Sequence, residues 1–349
     1  MQTRITATFG VTHPIVLSGM SWISTPPLVA AVAEAGGLGI LATGVCRPAE
    51  SRELIRTTRQ LTTRPFGANV TLYFPSAREN AEVLIAEQVP IVNYALGKGD
   101  WICQAVHAYG GKVIATVATL KHALKAEEDG ADALIVTGHE AAGHGGDVTS
   151  LVLAPRLAER VRIPIILAGG IADGRGLAAA LCLGAEGVAM GTRFMCSVES
   201  PVHELQKAQG LEAEIDGTVY TDRVDGLPAR VLRSPGSTRL MRRHLDPLSA
   251  LWQSRRIARL LDLPWAKVFF GVLASGPRQA ARMARLAIGF TAFETGTQAG
   301  DNERGVLPLG QAAGLIHDRP TVREIIERTV AEAEAASRRV QTLVSAPTE

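Results

Sequence analysis

The chain has 349 residues, of which 46% are hydrophobic and 20% charged, and its formal net charge is +2. This composition predicts a globular protein with a sizeable core, and the near-neutral charge argues against binding to nucleic acid or to an anionic membrane surface. The four cysteines form no CxxC pair and are expected to stay reduced, and they lie at Cys46, Cys103, Cys182 and Cys196.

The first ten residues lack the apolar segment of a signal peptide, and no run of 18 apolar residues follows anywhere. We therefore expect a cytoplasmic protein without a membrane-spanning helix.

Over the first 195 residues the chain alternates between short apolar runs and amphipathic segments. The apolar runs are almost continuously hydrophobic, which is typical of parallel strands covered on both faces.

The predicted strands are Ile15–Leu17, Gly39–Leu41, Gly67–Thr71, Ile91–Tyr94, Val113–Thr116, Ala133–Val136, Ile165–Ala168 and Val188–Met190. The predicted helices between them are Pro27–Ala35, Ala49–Leu61, Arg78–Glu87, Ile102–Tyr109, Leu120–Asp129, Leu151–Arg160 and Gly174–Leu183. Eight strands with seven intervening helices favour an α/β fold of the (β/α)8 TIM-barrel type, since an open doubly wound sheet usually has fewer strands.

The pattern changes near residue 200, so we predict three regions: a barrel over 1–199, a mostly helical lid or substrate domain over 200–300, and a C-terminal segment over 301–349. In the last region Pro320–Leu343 has helical periodicity and is expected to pack back on the barrel. The lid is rich in arginines, which are usually solvated. The alternative is that some of them bind a phosphate-bearing tail such as coenzyme A. These residues are Arg239, Arg242, Arg243, Arg255, Arg256 and Arg259.

Glycines follow the seventh and eighth predicted strands, at Gly169, Gly170 and Gly191, and Thr192 comes next. In barrel enzymes the loops after these two strands bind phosphate through backbone N–H groups. Glycine suits that role because a Cβ would hold the backbone away from the phosphate oxygens. The pattern therefore predicts a phosphorylated ligand. By contrast, the relaxed GxGxx[GA] pattern at 37–42 lies inside a strand, so we reject a dinucleotide-binding fingerprint there.

The loop after the sixth strand contains His139, Glu140 and His144. The two histidines are five residues apart, whereas a helical zinc motif needs four, and the surrounding glycines argue against a helix. We expect no metal site. Histidine titrates near neutral pH and this loop lies where barrel enzymes carry catalytic groups, so we favour His144 as an acid or base. His139 is expected to be a loop residue or one that acts on the site only through a neighbouring residue.

The order of these motifs resembles the nitronate monooxygenase (2-nitropropane dioxygenase) family, which also contains FMN-dependent enoyl-ACP reductases. The resemblance covers nearly the whole chain and rests on seven segments. They are His13-Pro-Ile with Gly19-Met20, Ala35-Gly-Gly-Leu-Gly39, Pro65-Phe-Gly-Ala-Asn69, Glu140-Ala-Ala-Gly-His144, Ala168-Gly-Gly-Ile-Ala-Asp-Gly174, Met190-Gly-Thr-Arg-Phe194 and Gly310-Gln-Ala-Ala-Gly-Leu-Ile316.

The resemblance implies FMN bound without a covalent bond at the barrel mouth, with His144 as the acid/base beside flavin N5. It implies that Gly169, Gly170, Gly191 and Thr192 hold the phosphate and that Gly19, Met20 and Asn69 lie along the ring. Glu140 and Gln311 are expected to shape the pocket. The sequence departs from the family pattern in two places: Leu17-Ser18 stands where many relatives have Gln-Gly, and Ala142 stands where they often have glycine.

Asp216–Leu232 is closer to the reductases of this family, including flavin reductases that act on CoA thioesters. We therefore favour an NAD(P)H-dependent reductase of an activated C=C bond in a CoA or ACP thioester. One alternative is oxidation of alkyl nitronates with O₂, and another is a flavin-binding protein without catalysis. The expected partners are small molecules rather than nucleic acid or membrane, and an oligomer is possible.

Overall fold

The computed structural model describes residues 1–73, 76–243, 255, 264–266, 270 and 277–345. Its centre is a closed barrel in which eight parallel strands are hydrogen-bonded in sequence order, and the eighth strand pairs with the first. The strands are β1 (Ile15–Leu17), β2 (Leu38–Ala42), β3 (Gly67–Thr71), β4 (Ile91–Ala95), β5 (Lys112–Val117), β6 (Ala133–Thr137), β7 (Ile165–Ala168) and β8 (Gly187–Met190). The predicted TIM barrel is confirmed, and every strand boundary lies within one residue of the prediction.

Helices cover the outside of the barrel between successive strands, and their boundaries lie within two residues of the predictions. They are α2 (Pro26–Glu34), α3 (Pro48–Leu61), α4 (Ala77–Ala86), α5 (Asp100–His107), α6 (Leu120–Glu128), α7 (Ser150–Ala158) and α8 (Gly174–Cys182). A short helix, α9 (Thr192–Met195), follows β8. Gly39 of the GxGxx[GA] pattern lies in β2 and packs against α2, where an added Cβ would lie 2.5 Å from the Val29 carbonyl oxygen. That glycine permits close helix–strand packing.

An N-terminal helix that the sequence analysis did not predict, α1 (Arg4–Phe9), closes the barrel at the end where the strands begin. Ile5 and Phe9 are buried in one cluster with inward-facing strand residues such as Val16 and Ile114. Gly10 ends this helix in the left-handed conformation, with φ +66°. With that end filled, the opposite end of the barrel is the place for a ligand site.

The region after α9 adds α10 (Glu204–Glu212), an antiparallel hairpin of β9 (Thr218–Thr221) and β10 (Ala229–Leu232), α11 (Pro235–Arg242) and α12 (Pro277–Ala299). The hairpin was not anticipated in the mostly helical lid. Its Val224 and Val231 share a small core with Leu240, Ile288 and neighbouring apolar side chains, and Trp22 of the β1 loop packs against this core. The lid therefore has its own core above the barrel mouth. Arg256 and Arg259 lie outside the described residues.

A 3-10 turn (Gln311–Leu315) leads into the C-terminal helix α13 (Val322–Val344), which packs against α8 and α2 as expected from its periodicity. Its closest approach is at Gly174, where an added Cβ would lie 2.3 Å from the Ala333 backbone nitrogen. Within the described ranges, no helix is both long and apolar enough to cross a membrane.

Candidate functional site

The loops at the carboxyl ends of the strands meet at one end of the barrel, because all eight strands run in the same direction. Asn69 lies in β3, the other predicted barrel residues of the site follow β1, β6, β7 and β8, and Gln311 comes from the turn after the lid. Two hydrogen bonds from backbone N–H groups hold this turn: Gly310 N–H donates to Thr192 Oγ1 (3.1 Å) and Gln311 N–H donates to the Glu140 carbonyl (3.0 Å). The structure thus brings the β6 loop, the β8 loop and the Gln311 turn together.

The loops after β7 and β8 form a backbone cradle, by which we mean Gly169, Gly170, Gly191 and Thr192. Gly169 and Gly170 have φ values of +110° and +75°, which side chains with a Cβ rarely adopt. An added Cβ at Gly169 would lie 3.2 Å from the Ala141 backbone nitrogen. The N–H groups of all four residues have no hydrogen-bond partner among the described residues. Free amides on two adjacent glycine-rich loops fit a phosphate group.

Glu140 acts within the protein framework. Its carboxylate accepts the backbone N–H of Ser150 (2.9 and 3.1 Å) and the Ser150 hydroxyl (2.8 Å). Negative charge at this point is favourable because Ser150 begins α7, where the helix dipole is positive. The Glu140 side chain therefore fixes the start of α7 to the β6 loop, while its carbonyl holds the Gln311 turn.

The imidazole of His144 is paired with a carboxylate from the lid. His144 Nε2 lies 2.8 Å from Asp225 Oδ2, and the His144 side chain is 33% exposed whereas that of Asp225 is 5% exposed. A carboxylate can only accept a hydrogen bond, so Nε2 carries the proton in this contact and Nδ1 remains for another partner. Asp225 is itself fixed, because its Oδ1 accepts the Leu227 N–H at 3.0 Å.

Three further contacts hold the β6 loop against the β9–β10 hairpin. Gly143 and Arg230 exchange backbone hydrogen bonds in both directions (3.0 and 2.9 Å). The buried Arg230 side chain donates to the His139 carbonyl at 3.0 Å, and burial lowers the pKa of this guanidinium. Tyr220 donates its hydroxyl to the Gly145 carbonyl at 2.9 Å. The residues on either side of His144 are therefore fixed by the hairpin.

His139 contacts its own loop and the β9–β10 hairpin. Its Nδ1 lies 3.0 Å from the Gly146 carbonyl oxygen, and its ring packs edge-on against Tyr220 with a centroid distance of 4.5 Å. In the described part of the chain, no three or more His, Cys, Asp or Glu side chains are grouped to hold a metal ion.

Asn69 and Gly19 lie in contact across the barrel mouth. Asn69 Nδ2 donates to the Gly19 carbonyl (2.8 Å), and its Oδ1 accepts the N–H groups of Thr43 (2.9 Å) and Gly44 (3.2 Å). An added Cβ at Gly19 would lie 2.7 Å from the Asn69 side chain. Most of the hydrogen-bonding capacity of Asn69 is therefore used to join β3 to the loops after β1 and β2, and one amide hydrogen remains.

Met20 extends toward the cradle. Its sulfur would lie 3.2 Å from a Cβ added at Gly191, so the carboxyl ends of β1 and β8 are neighbours here.

The sequence analysis did not identify three residues that contact the β6 loop, namely Asp225, Arg230 and Tyr220. All three lie in Asp216–Leu232, which we had singled out for family resemblance alone. The available signal was chemical, because an acid/base histidine generally needs a partner that fixes its ring.

Comparison with known proteins gives a consistent family. A nitronate monooxygenase family profile matches residues 2–98 and 76–332. A Mycobacterium tuberculosis protein named (3aS,4S,5R,7aS)-5-hydroxy-7a-methyl-1-oxo-octahydro-1H-indene-4-carboxyl-CoA dehydrogenase is 37% identical over 341 residues, covering 95% of this chain and 96% of that protein. A probable nitronate monooxygenase of Staphylococcus aureus is 32% identical over 275 residues, covering 66% of this chain and 78% of that protein.

Solved structures agree with this grouping. FabK from Thermotoga maritima has a TM-score of 0.83 and 38% sequence identity, covering 98% of this chain and 99% of that one. A nitroalkane oxidase from Streptomyces ansochromogenes has a TM-score of 0.75 and 26% identity, covering 96% of this chain and 99% of that one. The protein is therefore an oxidoreductase that belongs to the nitronate monooxygenase family.

Proposed function

We propose that this enzyme binds FMN at the barrel mouth and catalyses NAD(P)H-dependent reduction of a C=C bond conjugated to a CoA or ACP thioester. The observation that carries the proposal is the His144–Asp225 pair, a fixed imidazole on the β6 loop, whose Ala141 lies next to Gly169 of the backbone cradle. Such a pair moves one proton, which is what reduction of an activated C=C bond requires besides a hydride.

The cradle fits the FMN phosphate because its four N–H groups are free among the described residues, and two of its glycines have positive φ. When bound, FMN supplies two-electron redox chemistry, exchanging a hydride with a substrate carbon. Gly19, Met20 and Asn69 would border the flavin ring, and Glu140 and Gln311 would shape the pocket by holding the β6 loop and the turn after the lid in place.

His144 holds the proton that completes the reaction. Asp225 fixes Nε2, so Nδ1 is the atom that donates to the substrate α-carbon in reduction or accepts from it in the reverse direction. The hairpin contacts on either side limit movement of the loop, which keeps the nitrogen in one position. Because Asp225 and the hairpin hold the imidazole in one position, we favour an active enzyme over a flavin-binding protein that has lost catalysis.

The substrate class rests on the full-length relatives. The protein named as a CoA-thioester dehydrogenase and FabK each match at least 95% of this chain, whereas the staphylococcal nitronate monooxygenase matches 66%. A dehydrogenase and a reductase need the same proton-transfer group, because one reaction is the reverse of the other. Oxidation of alkyl nitronates is the second candidate, favoured by the family profile and by the 32% identical relative.

Anaerobic mixing distinguishes the two candidates. We expect NADPH or NADH to bleach the flavin absorbance of the holoenzyme, and a 2-enoyl-CoA such as crotonyl-CoA to restore it. Bleaching by propionate 3-nitronate, with none by either nicotinamide nucleotide, would instead assign the enzyme to nitronate oxidation.

A further inference from the structure

A cavity on the lid is bordered by arginines from two separate segments. It lies between α11, the α12 helix and the loop before the Gln311 turn, and its volume is about 370 Å³. Arg239 of α11 and Arg243, the residue directly after this helix, line it, and Arg304 reaches it from the loop at 300–310. Arg239 Nη2 donates to the Arg304 carbonyl at 3.3 Å, so the two segments are in direct contact.

The arginines at this cavity have no acidic partner in the part of the chain that the structure describes. None of Arg239, Arg243 and Arg304 forms an ion pair with a carboxylate there. Among the described residues of the lining, Asp301 alone carries a carboxylate, and its Oδ1 already accepts the backbone N–H groups of Glu303 and Arg304. Arginines at the C-terminal end of α11 interact favourably with the negative end of its helix dipole. That interaction does not explain why Arg304, from a different segment, also lines the cavity. Three guanidinium groups at one cavity are suited to phosphate groups.

Apolar residues also line the cavity. Leu240, Ile288 and Ala292 are buried in the lining, and Thr291 and Thr295 belong to it as well. An apolar lining combined with three guanidinium groups suits a purine nucleoside that carries phosphates. The volume lies within the ordinary range for small-molecule sites.

This cavity is close to the catalytic histidine along α12. Gly289 packs directly on Asp225, where an added Cβ would lie 2.2 Å from Asp225 Cβ. Thr295 lies six residues farther along the helix, or about 9 Å at 1.5 Å per residue. A ligand that is anchored at the cavity by its nucleotide end could therefore extend an arm toward His144.

We propose that the cavity lined by Arg239, Arg243 and Arg304 binds an adenosine nucleotide that carries a ribose monophosphate. This inference deepens the proposed function, because coenzyme A has that group at the 3′ position and NADPH has it at the 2′ position. Nothing in the proposed chemistry at His144 requires these arginines, so they act in binding and specificity rather than in catalysis.

Calorimetric titration of the holoenzyme with 3′,5′-ADP, 2′,5′-ADP and adenosine tests the site without turnover. We expect saturable binding of at least one bisphosphate and much weaker binding of adenosine. Arg239→Gln with Arg304→Gln should weaken the bisphosphate roughly 100-fold, about tenfold for each guanidinium removed. A preference for 3′,5′-ADP would identify the ligand as CoA, and a preference for 2′,5′-ADP would identify it as NADPH.

Arg160→Gln is the matched control. Arg160 is an exposed arginine that follows α7, which runs away from the barrel mouth, and among the described residues its side chain has no ion-pair partner. It should leave the affinity unchanged. The inference is overturned if neither bisphosphate binds, or if the double variant binds as tightly as the parent protein. Bleaching of the flavin by NADH remains a separate measurement, so failure of the arginine site would leave the proposed reaction intact.

Discussion

If Asp225 supports proton transfer by His144, the Asp225→Asn variant should have a lower turnover than the parent enzyme. The new side chain has the same size, so packing against Gly289 is preserved, but a neutral amide replaces the carboxylate that accepts Nε2–H. A hydrogen bond to a charged group contributes about 1.5–3 kcal/mol. If that contribution is lost when His144 moves its proton, turnover falls roughly 10- to 100-fold, since each 1.36 kcal/mol is a factor of ten in rate.

The assay is NADPH consumption with crotonyl-CoA as the acceptor at saturating concentration. FMN content should not change, because Asp225 is not part of the cradle. Asp222→Asn is the matched control on the same hairpin, because Asp222 is exposed and its side chain has no ion pair within the described ranges. In a His144→Ala background, Asp225→Asn should have no further effect on the rate, because the two residues act as one unit. Equal rates for Asp225→Asn and Asp222→Asn would refute the assigned role.

Three other variants test His144, the backbone cradle and Asp173, whose side chain caps α8. His144→Ala should lower turnover about 10²- to 10⁴-fold with FMN retained, and unchanged turnover would remove it from the mechanism. Gly170→Ala should weaken FMN binding, measured by flavin fluorescence. The control is Gly110→Ala, because Gly110 has a similar positive φ (+82°, against +75° at Gly170) and an added Cβ there would meet no atom within 4 Å. This control should change stability and leave FMN binding unchanged. Burial raises the pKa of Asp173, but hydrogen bonds from Arg175 and Gly176 hold it below its ordinary value overall. The ionised Asp173 carboxylate therefore stabilises the folded protein fully at pH values above its unfolded-state pKa of about 3.9. This stabilisation is lost as the pH falls through the lower pKa that Asp173 has in the folded state. Denaturant unfolding of Asp173→Asn, which keeps a capping side chain, should show a smaller loss of stability at acid pH than the parent protein, and an equal loss would contradict this assignment.

The barrel could be predicted from the sequence because its strands are buried on both faces and its helices are amphipathic, so both periodicities are visible locally. The glycine-rich backbone of the cradle was predictable for a related reason, since Gly169 and Gly170 have a backbone conformation that few other residues adopt. These features depend on neighbouring residues in the chain, and the sequence pattern records them directly.

The lid was harder to predict because its contacts are distant in sequence. Asp225 is 81 residues from His144 and Arg230 is 91 residues from His139, and no local periodicity links them. The β9–β10 hairpin has four-residue strands, too short for a clear alternation. Helix α1 was missed because it is six residues long, and its two buried apolar side chains, Ile5 and Phe9, gain their role only once the barrel surrounds them.

The central claim is that the backbone amides of Gly169, Gly170, Gly191 and Thr192 bind the phosphate of FMN, which places the flavin within reach of His144. The most direct test compares FMN with riboflavin, which has the same ring system and no phosphate, by titrating each into the apoprotein and following flavin fluorescence. We predict saturable binding of FMN and binding of riboflavin at least 100-fold weaker, as expected when several charge-assisted hydrogen bonds are lost. Equal affinity for the two flavins, or no binding of FMN, would contradict the account.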